Sequence, residues 1–183
     1  VVSTDDGPRA GVTLEAVSQL KPAFRPDGRV TAGNACPLND GAAAVVVMSR
    51  KRAEELGITP LARIIASSVS ALNPEIMGLG PIEAIKRVLA RADMSMSDID
   101  LVEINEAFAA QVIPSADELG IDMVDQLNVN GGAIALGHPF GQTGARIMTT
   151  LLNGLEDSDK TFGLESMCVG GGQGMAMIVE RLK

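Results

Sequence analysis

The residues of this chain whose type and setting single them out for acid–base or covalent chemistry are one histidine, two cysteines and an asparagine at a strand-to-helix junction. His138 is the only histidine and stands in a glycine-rich stretch, from Asn130-Gly131-Gly132-Ala133 through Gly137-His138-Pro139-Phe140-Gly141. An imidazole titrates near neutral pH, so it can act as base, acid or oxyanion donor. The plain alternative is a hydrogen-bonded structural histidine, and the local sequence leaves both open. Cys168 closes an apolar segment and precedes Val169-Gly170-Gly171-Gly172-Gln173-Gly174. Glycines let backbone N–H groups approach a ligand closely, and such groups can bind a developing oxyanion. A thiol titrates at about 8.5, so to serve as a base at neutral pH Cys168 needs that value lowered. Otherwise it is an inert small residue before a turn. Asn105 opens Asn105-Glu106-Ala107-Phe108. Its amide can hold a water or an oxyanion, or simply cap a helix. Ala107 and Phe108 fit either the core or the wall of an apolar channel. Cys, His and Asn together are also the parts of a cysteine hydrolase. A simple triad, however, does not require a glycine-rich turn around each of His138 and Cys168.

The elements that must position these residues can be traced by periodicity and punctuation. Residues 1–40 are rich in loops, with turn signals at Asp5-Asp6-Gly7-Pro8 and Arg25-Pro26-Asp27-Gly28. Thr13 caps a short helix running to about Leu20. Ala42–Met48 is a continuous apolar run of strand length, as expected of a strand buried on both faces. Ser49 caps a helix over Lys51–Leu56 that stops at Gly57. Leu61–Leu72 predicts a long strand. Pro81 opens a helix to about Ala92, with Ile82, Ile85, Val88 and Leu89 on one face. Ile99–Ile104 predicts a short strand, and Glu106–Leu119 a helix broken near Pro114. Leu127–Val129 predicts a strand, and Gly144–Leu155 an apolar helix. Phe162–Val169 and Met175–Val179 predict two strands joined by Gly170–Gly174. Alternating strands and helices closed by a hairpin argue for an α/β layered domain with a mixed sheet.

Composition narrows the classes. The 183 residues are 46% hydrophobic and 21% charged, the profile of a folded domain with a real core. Aromatics are only 2%, with no Trp or Tyr, so the core must be aliphatic. The formal net charge of −8 and the absence of a basic stripe argue against nucleic acid. No apolar run reaches the roughly 20 residues of a membrane helix, and no signal peptide is evident. Cys36 and Cys168 read as free thiols in a reducing, cytoplasmic setting. The start at Val1, without Met, suggests a fragment of a longer chain.

The three chemical segments together closely resemble the active-site motifs of the thiolase family: Asn-Glu-Ala-Phe, Gly-His-Pro and Cys-x-Gly-Gly-Gly-x-Gly, in that order and at similar spacing. Thr31-Ala32-Gly33-Asn34-Ala35-Cys36-Pro37-Leu38-Asn39-Asp40-Gly41-Ala42 and Met77-Gly78-Leu79-Gly80-Pro81 add two further matches. The resemblance covers nearly the whole chain. It implies the C-terminal half of a fold built from two similar α/β halves stacked in five layers, α/β/α/β/α. Residues 1–29 would be the tail of an inserted loop domain and residues 30–183 the C-terminal domain. It implies an acyltransferase that cleaves or forms the carbon–carbon bond of a 3-ketoacyl-CoA. His138 would activate a nucleophilic cysteine and help form one oxyanion hole, where Asn105 positions a water. Cys168 would move the proton at the α-carbon of acetyl-CoA. The backbone N–H of Gly170 would line the second oxyanion hole. Cys36, Met77, Ala107 and Phe108 would border the pantetheine channel. Coenzyme A is then a substrate, and no metal or separate cofactor is implied. A homodimer or homotetramer is implied as well.

Departures from the family pattern are informative. A serine is common where this chain has Cys36, and the usual Ala-Ser pair is replaced by Gln142-Thr143. Neither implies lost function. The larger departure is the missing N-terminal half with its acyl-accepting cysteine, without which the chain is not expected to turn over alone. The alternative expectation is a non-catalytic, CoA-binding or assembly half of a split thiolase. The pattern over Pro74–Gly80 resembles bacterial degradative members. Lys21, Arg25 and Arg29 are the local cations available for a polyanionic nucleotide.

Overall fold

The computed structural model describes residues 1–182. Its elements run α1 (Leu14–Ser18), α2 (Arg50–Leu56), β1 (Ala62–Ala71), a 3-10 segment (Pro74–Leu79), α3 (Gly80–Ala92), a 3-10 turn (Met96–Asp98), β2 (Leu101–Ile104), α4 (Ala109–Leu119), α5 (Ala133–Leu136), α6 (Thr143–Asp157), β3 (Phe162–Val169) and β4 (Gln173–Arg181). The caps read from the sequence are in place. Thr13 Oγ1 accepts from the Ala16 N–H, and Ser49 Oγ from the Arg52 N–H. Gly57 ends α2 in the left-handed conformation, at φ 65°.

The strands form one mixed sheet in the order β1-β4-β3-β2. β4 is antiparallel to both β1 and β3, while β2 runs parallel to β3. Helices cover both faces, giving the expected α/β layering. On one face α3 and α4 bury Ala84, Ile85, Val88, Val112 and Ala116 against Val102, Ile104, Leu164, Ala176 and Ile178. Fully burying each large aliphatic side chain stabilises by about 1.5–3 kcal/mol, so this aliphatic layer is the main core. On the other face α6 packs Leu151 and Leu155 on Leu101 and Val179, a smaller cluster.

Four expectations need correction. Ala42–Met48 forms no strand. Val46 and Val47 are 85% and 71% exposed, and among the described residues nothing ladders with this run. A strand requires a neighbour for its N–H and C=O groups, whatever its apolarity. α4 begins at Ala109 rather than Glu106, because the backbone of 107–109 pairs with another segment. Cys36 N–H donates to Ala107 O at 3.1 Å and Ala109 N–H to Asn34 O at 2.9 Å. Pro114 lies inside α4 without breaking it. Leu127 makes one parallel bridge to Val102 instead of a strand, and Asn128 then turns the chain at φ 46°.

The hairpin turn carrying the glycine run is pressed onto the rest of the fold. Leu72 N–H donates to Gly172 O at 2.9 Å, and Ser70 Oγ donates to Gly80 O at 2.8 Å. A Cβ at Gly174 would overlap the backbone of Gly80, and one at Gly80 would lie 2.5 Å from Gln173 O. Backbone meets backbone here, so neither side can swing away. Gly174→Ala should therefore destabilise by about 2–3 kcal/mol, a fall in Tm of roughly 4–12 °C for a domain of this size. Gly144→Ala, in the open first turn of α6 with no atom within 4 Å of its Cβ, is the control and should be neutral or slightly stabilising by thermal melting. Equal melting temperatures for the two variants would contradict this account of the turn.

Candidate active site

The parallel strands β2 and β3 end side by side, and the candidate residues gather beyond those ends. Asn105 follows β2 directly. It is fully buried, and its N–H donates to Ser166 O at 3.0 Å, which extends the ladder by one step. Its side-chain amide lies 3.4 Å from His138 Nε2. His138 is half-buried on the loop between α5 and α6, gripped at three points. Its N–H donates to Asn39 Oδ1 at 3.0 Å. Its Nδ1 is 2.7 Å from Thr143 Oγ1, and its ring meets Phe140 edge-on at 5.0 Å.

These contacts decide the tautomer. The Thr143 hydroxyl donates its one proton to Pro139 O at 3.0 Å, so towards His138 it can only accept. Nδ1 therefore carries the hydrogen and Nε2 keeps its lone pair. That in turn makes the Asn105 group facing Nε2 the amide N–H. The Asn105 Oδ1 is then left buried without a partner. An unsatisfied buried acceptor costs about 1–3 kcal/mol. The site thus offers a basic nitrogen and an amide N–H side by side. Burial, and secondarily the charge of Arg146, hold His138 below the usual imidazole value, so it is neutral and proton-accepting near pH 7.

Cys168 occupies the last turn of β3, opposite Gly174, and is 7% exposed. Burial raises its thiol above the ordinary value, a backbone N–H partly offsets this, and the Cys36 thiol nearby raises it further. Cys168 is therefore held as a thiol near neutrality, the form that donates a proton. Gly170 is exposed, with open space around its Cα. Cys36 is half-buried and also raised by burial. It comes beside Ala107 through the backbone bond described above, and Ala35 bridges Phe108. Phe24 then covers Phe108 edge-to-face at 6.0 Å. So Cys36, Ala107 and Phe108 form one wall, whereas Met77 is half-buried on the 3-10 segment, which packs on α4 and the ends of β3 and β4. An open cleft of about 390 Å³, lined by Leu38, Asn39, Asp40, His138 and Phe140, leads to the histidine.

Several supporting residues were not singled out from the sequence. Glu106 accepts from Asn128 Nδ2 at 2.9 Å and from the Ile134 N–H at 3.0 Å, tying the Asn105 segment to the start of α5. A Cβ at Gly132 would overlap this carboxylate, which explains a glycine there. Asn128 also accepts from Ile104 N–H and donates to Ile104 O, both at 2.9 Å, like a strand residue supplied by a side chain. Thr143 keeps the hydroxyl that grips His138. Beneath them lies an ionic group between the sheet and α6. Glu103 and Glu165 are opposite each other in the β2–β3 register, and Arg146 Nη1 is 3.6 Å from Glu103 Oε2. Burial raises Glu103 to about 7 and Glu165 to about 8. Asn39 and Thr143 sat inside or beside the recognised motifs. Glu103, Glu165 and Arg146 carried no signal, because their meeting depends on register.

Residues 58–181 match the thiolase C-terminal domain family, and residues 1–51 match the thiolase N-terminal domain family. The chain is 52% identical over 182 residues to an acetyl-CoA acetyltransferase of Escherichia coli, covering 100% of this chain and 46% of that protein. It is 50% identical over 185 residues to a 3-ketoacyl-CoA thiolase of a Marinomonas species, covering 100% and 47%. Among solved structures, the acetyl-CoA acetyltransferase of Bacillus anthracis superposes with a TM-score of 0.93 at 51% identity, covering 97% of this chain and 45% of that one. The human mitochondrial 3-ketoacyl-CoA thiolase in complex with CoA gives 0.90 at 43% identity, covering 100% and 46%. The chain spans about half the length of the curated relatives it matches. On the strength of these matches, this chain belongs to the thiolase family.

Proposed function

We propose that this chain is the C-terminal half of an acetyl-CoA C-acyltransferase, which cleaves 3-ketoacyl-CoA with free CoA or runs the reverse Claisen condensation. The observation that carries the reading is the Asn105–His138 pair, with its free Nε2 and adjacent amide N–H. In the thiolytic direction, a cysteine of an N-terminal half attacks the 3-keto carbon. His138 takes the thiol proton through Nε2. The resulting imidazolium and a water on Asn105 then stabilise the oxyanion. As the carbon–carbon bond breaks, the acetyl-CoA enolate takes a proton from the Cys168 thiol, with the Gly170 N–H on its oxygen. The Cys168 thiolate then takes the proton of the CoA thiol, the CoA sulfur attacks the acyl-enzyme, and the His138 imidazolium returns its proton to the departing cysteine, so that all three groups end as they began. Cys36, Met77, Ala107 and Phe108 border pantetheine. Lys21, Arg25 and Arg29, near Phe24, offer charge to the nucleotide phosphates. The exposed Ala42–Met48 run would find its ladder partners in the N-terminal half.

The test is thiolysis of acetoacetyl-CoA by this chain joined to an N-terminal thiolase half. His138→Ala and Cys168→Ala should each lower kcat by about 10²–10⁴-fold, and Asn105→Ala by about 10²-fold. Undiminished turnover in the His138 or Cys168 variant, with fold retained, would refute the assignment.

The thiols allow a second check on the isolated chain. Iodoacetamide should label half-buried Cys36 before buried Cys168. The Cys168 rate should keep rising with pH beyond the ordinary thiol range, because its environment raises its pKa. Fast labelling of Cys168 at pH 7 would mean a resident thiolate and would contradict its role as proton donor.

A further inference from the structure

Arg146 and the two glutamates beneath it have no part in the chemistry above, yet they lie between all three site-bearing segments. Glu103 is two residues before Asn105 on β2, on the same face of the strand. Glu165 precedes Ser166, whose carbonyl receives Asn105, and stands three residues before Cys168. Arg146 is three residues after Thr143 on α6, one turn below the hydroxyl that grips His138. Glu103 is 3% exposed, and the Arg146 side chain 17%. Arg146 reaches Thr150 Oγ1 at 3.5 Å and Glu103 at 3.6 Å, while its Nε and Nη2 are buried without partners. Glu165 Oε2 is likewise buried and unpartnered. One guanidinium therefore pairs with Glu103, whose register neighbour on the adjacent strand is a second buried carboxylate, Glu165.

Two ionised carboxylates at that spacing, away from water, repel each other, and a single cation balances only one of them. We propose that Arg146 is a positioning residue of the site, keeping the His138 imidazole neutral, and that Glu103 and Glu165 hold one proton between them so that Arg146 retains a single counter-charge. The other charged groups around His138 do not substitute for it. Asp40, on the facing loop, is exposed at the cleft mouth. Glu106 is bound to Asn128 and Ile134. Asn105, Asn39 and Phe140 are uncharged. The raised values of both glutamates, and the lowering of His138 by Arg146, run in the same direction as the geometry. The catalytic meaning of this device rests on His138 acting as base, but the device itself does not.

The chain's single histidine makes the test direct: its ring proton resonance reports one midpoint, without any activity assay. The wild type should titrate below the free-imidazole value of 6.5. Arg146→Met should raise that midpoint, and Arg146→Lys should restore it towards the wild type. An unchanged midpoint in a folded Arg146→Met would overturn the assignment. Should Arg146→Met fail to fold, the glutamate side chains carry the test. With carbon-13 in the glutamate carboxyls, one carboxyl of the wild type should titrate above pH 6.5, and this signal should vanish in Glu165→Gln. Complete ionisation of every glutamate by pH 5.5 would overturn the shared proton.

Stability gives a third reading. A carboxyl whose folded value exceeds its unfolded one binds its proton more tightly when folded, so stability falls as pH rises between the two. For this pair the window runs from the ordinary 4.5 up to about 7 and about 8. The denaturant midpoint of the wild type should decline across that window. In Glu165→Gln the decline should be smaller, and an unaltered decline would again overturn the pairing.

Discussion

A hydroxyl has one proton to give, and much of this site follows from where Thr143 sends it. By donating to Pro139 O it becomes an acceptor for His138 Nδ1, which leaves Nε2 as the basic atom and turns the Asn105 amide N–H towards it. Thr143 can do this because it begins α6. In the first turn of a helix the side chain can reach back to the preceding loop, so the helix start, the loop and the ring form one closed circuit. Asn39 closes the circuit from the other side through the His138 N–H. The imidazole is thus held partly by its own loop, through Thr143 and Phe140, and partly by two distant segments, through Asn39 and Asn105.

The glycines serve the same end by a different route. Cys168 must stand at the tip of β3 next to an open stretch of backbone, and a two-stranded hairpin tip is normally mobile. Here the tip is pressed against the start of α3 and the end of β1, and Gly80, Gly172 and Gly174 are what allow backbone to touch backbone. The turn gains rigidity from packing, while Gly170 stays free of neighbours. A run of glycine that would loosen a solvated loop instead allows close contact here, because the surrounding structure removes the freedom that glycine would otherwise have.

What was legible in the sequence follows from this. Caps and periodicity are local, so α1, α2, α3 and the strand positions of β1 and β3 are legible in the sequence alone. His138 and Cys168 drew notice because each stands in a glycine-rich turn, but Asn105, His138 and Cys168 were legible as one site only through their joint resemblance to thiolase motifs. The apolar run 42–48 misled because composition reports that a segment is to be buried, and nothing about whether a partner strand is present. The start of α4 was misplaced because Asn34–Cys36 competes for its first backbone groups. Glu103, Glu165 and Arg146 were illegible because no residue of a parallel pair announces its register. Glu106 was quoted as part of a motif, but its grip on Ile134 N–H appears only when α5 is in place.

The ionic group under the histidine raises a question of purpose. Replacing a buried ion pair by well-packed aliphatic residues is often neutral or stabilising by about 1–4 kcal/mol. Stability therefore does not explain why two carboxylates and a guanidinium sit where leucines would serve. Nor does hydrogen bonding, since Arg146 leaves two nitrogens and Glu165 one oxygen unmet. What an aliphatic replacement cannot supply is charge one helical turn from the Thr143 hydroxyl that grips the imidazole. In a poorly solvated interior the attraction or repulsion between charges at that range greatly exceeds its value in water. A positive charge there favours the neutral ring, and a carboxylate pair that carries only one negative charge leaves the balance intact while keeping the guanidinium paired. The structural cost is tolerable only where the protonation state of a neighbour matters, and His138 is the one imidazole this chain has.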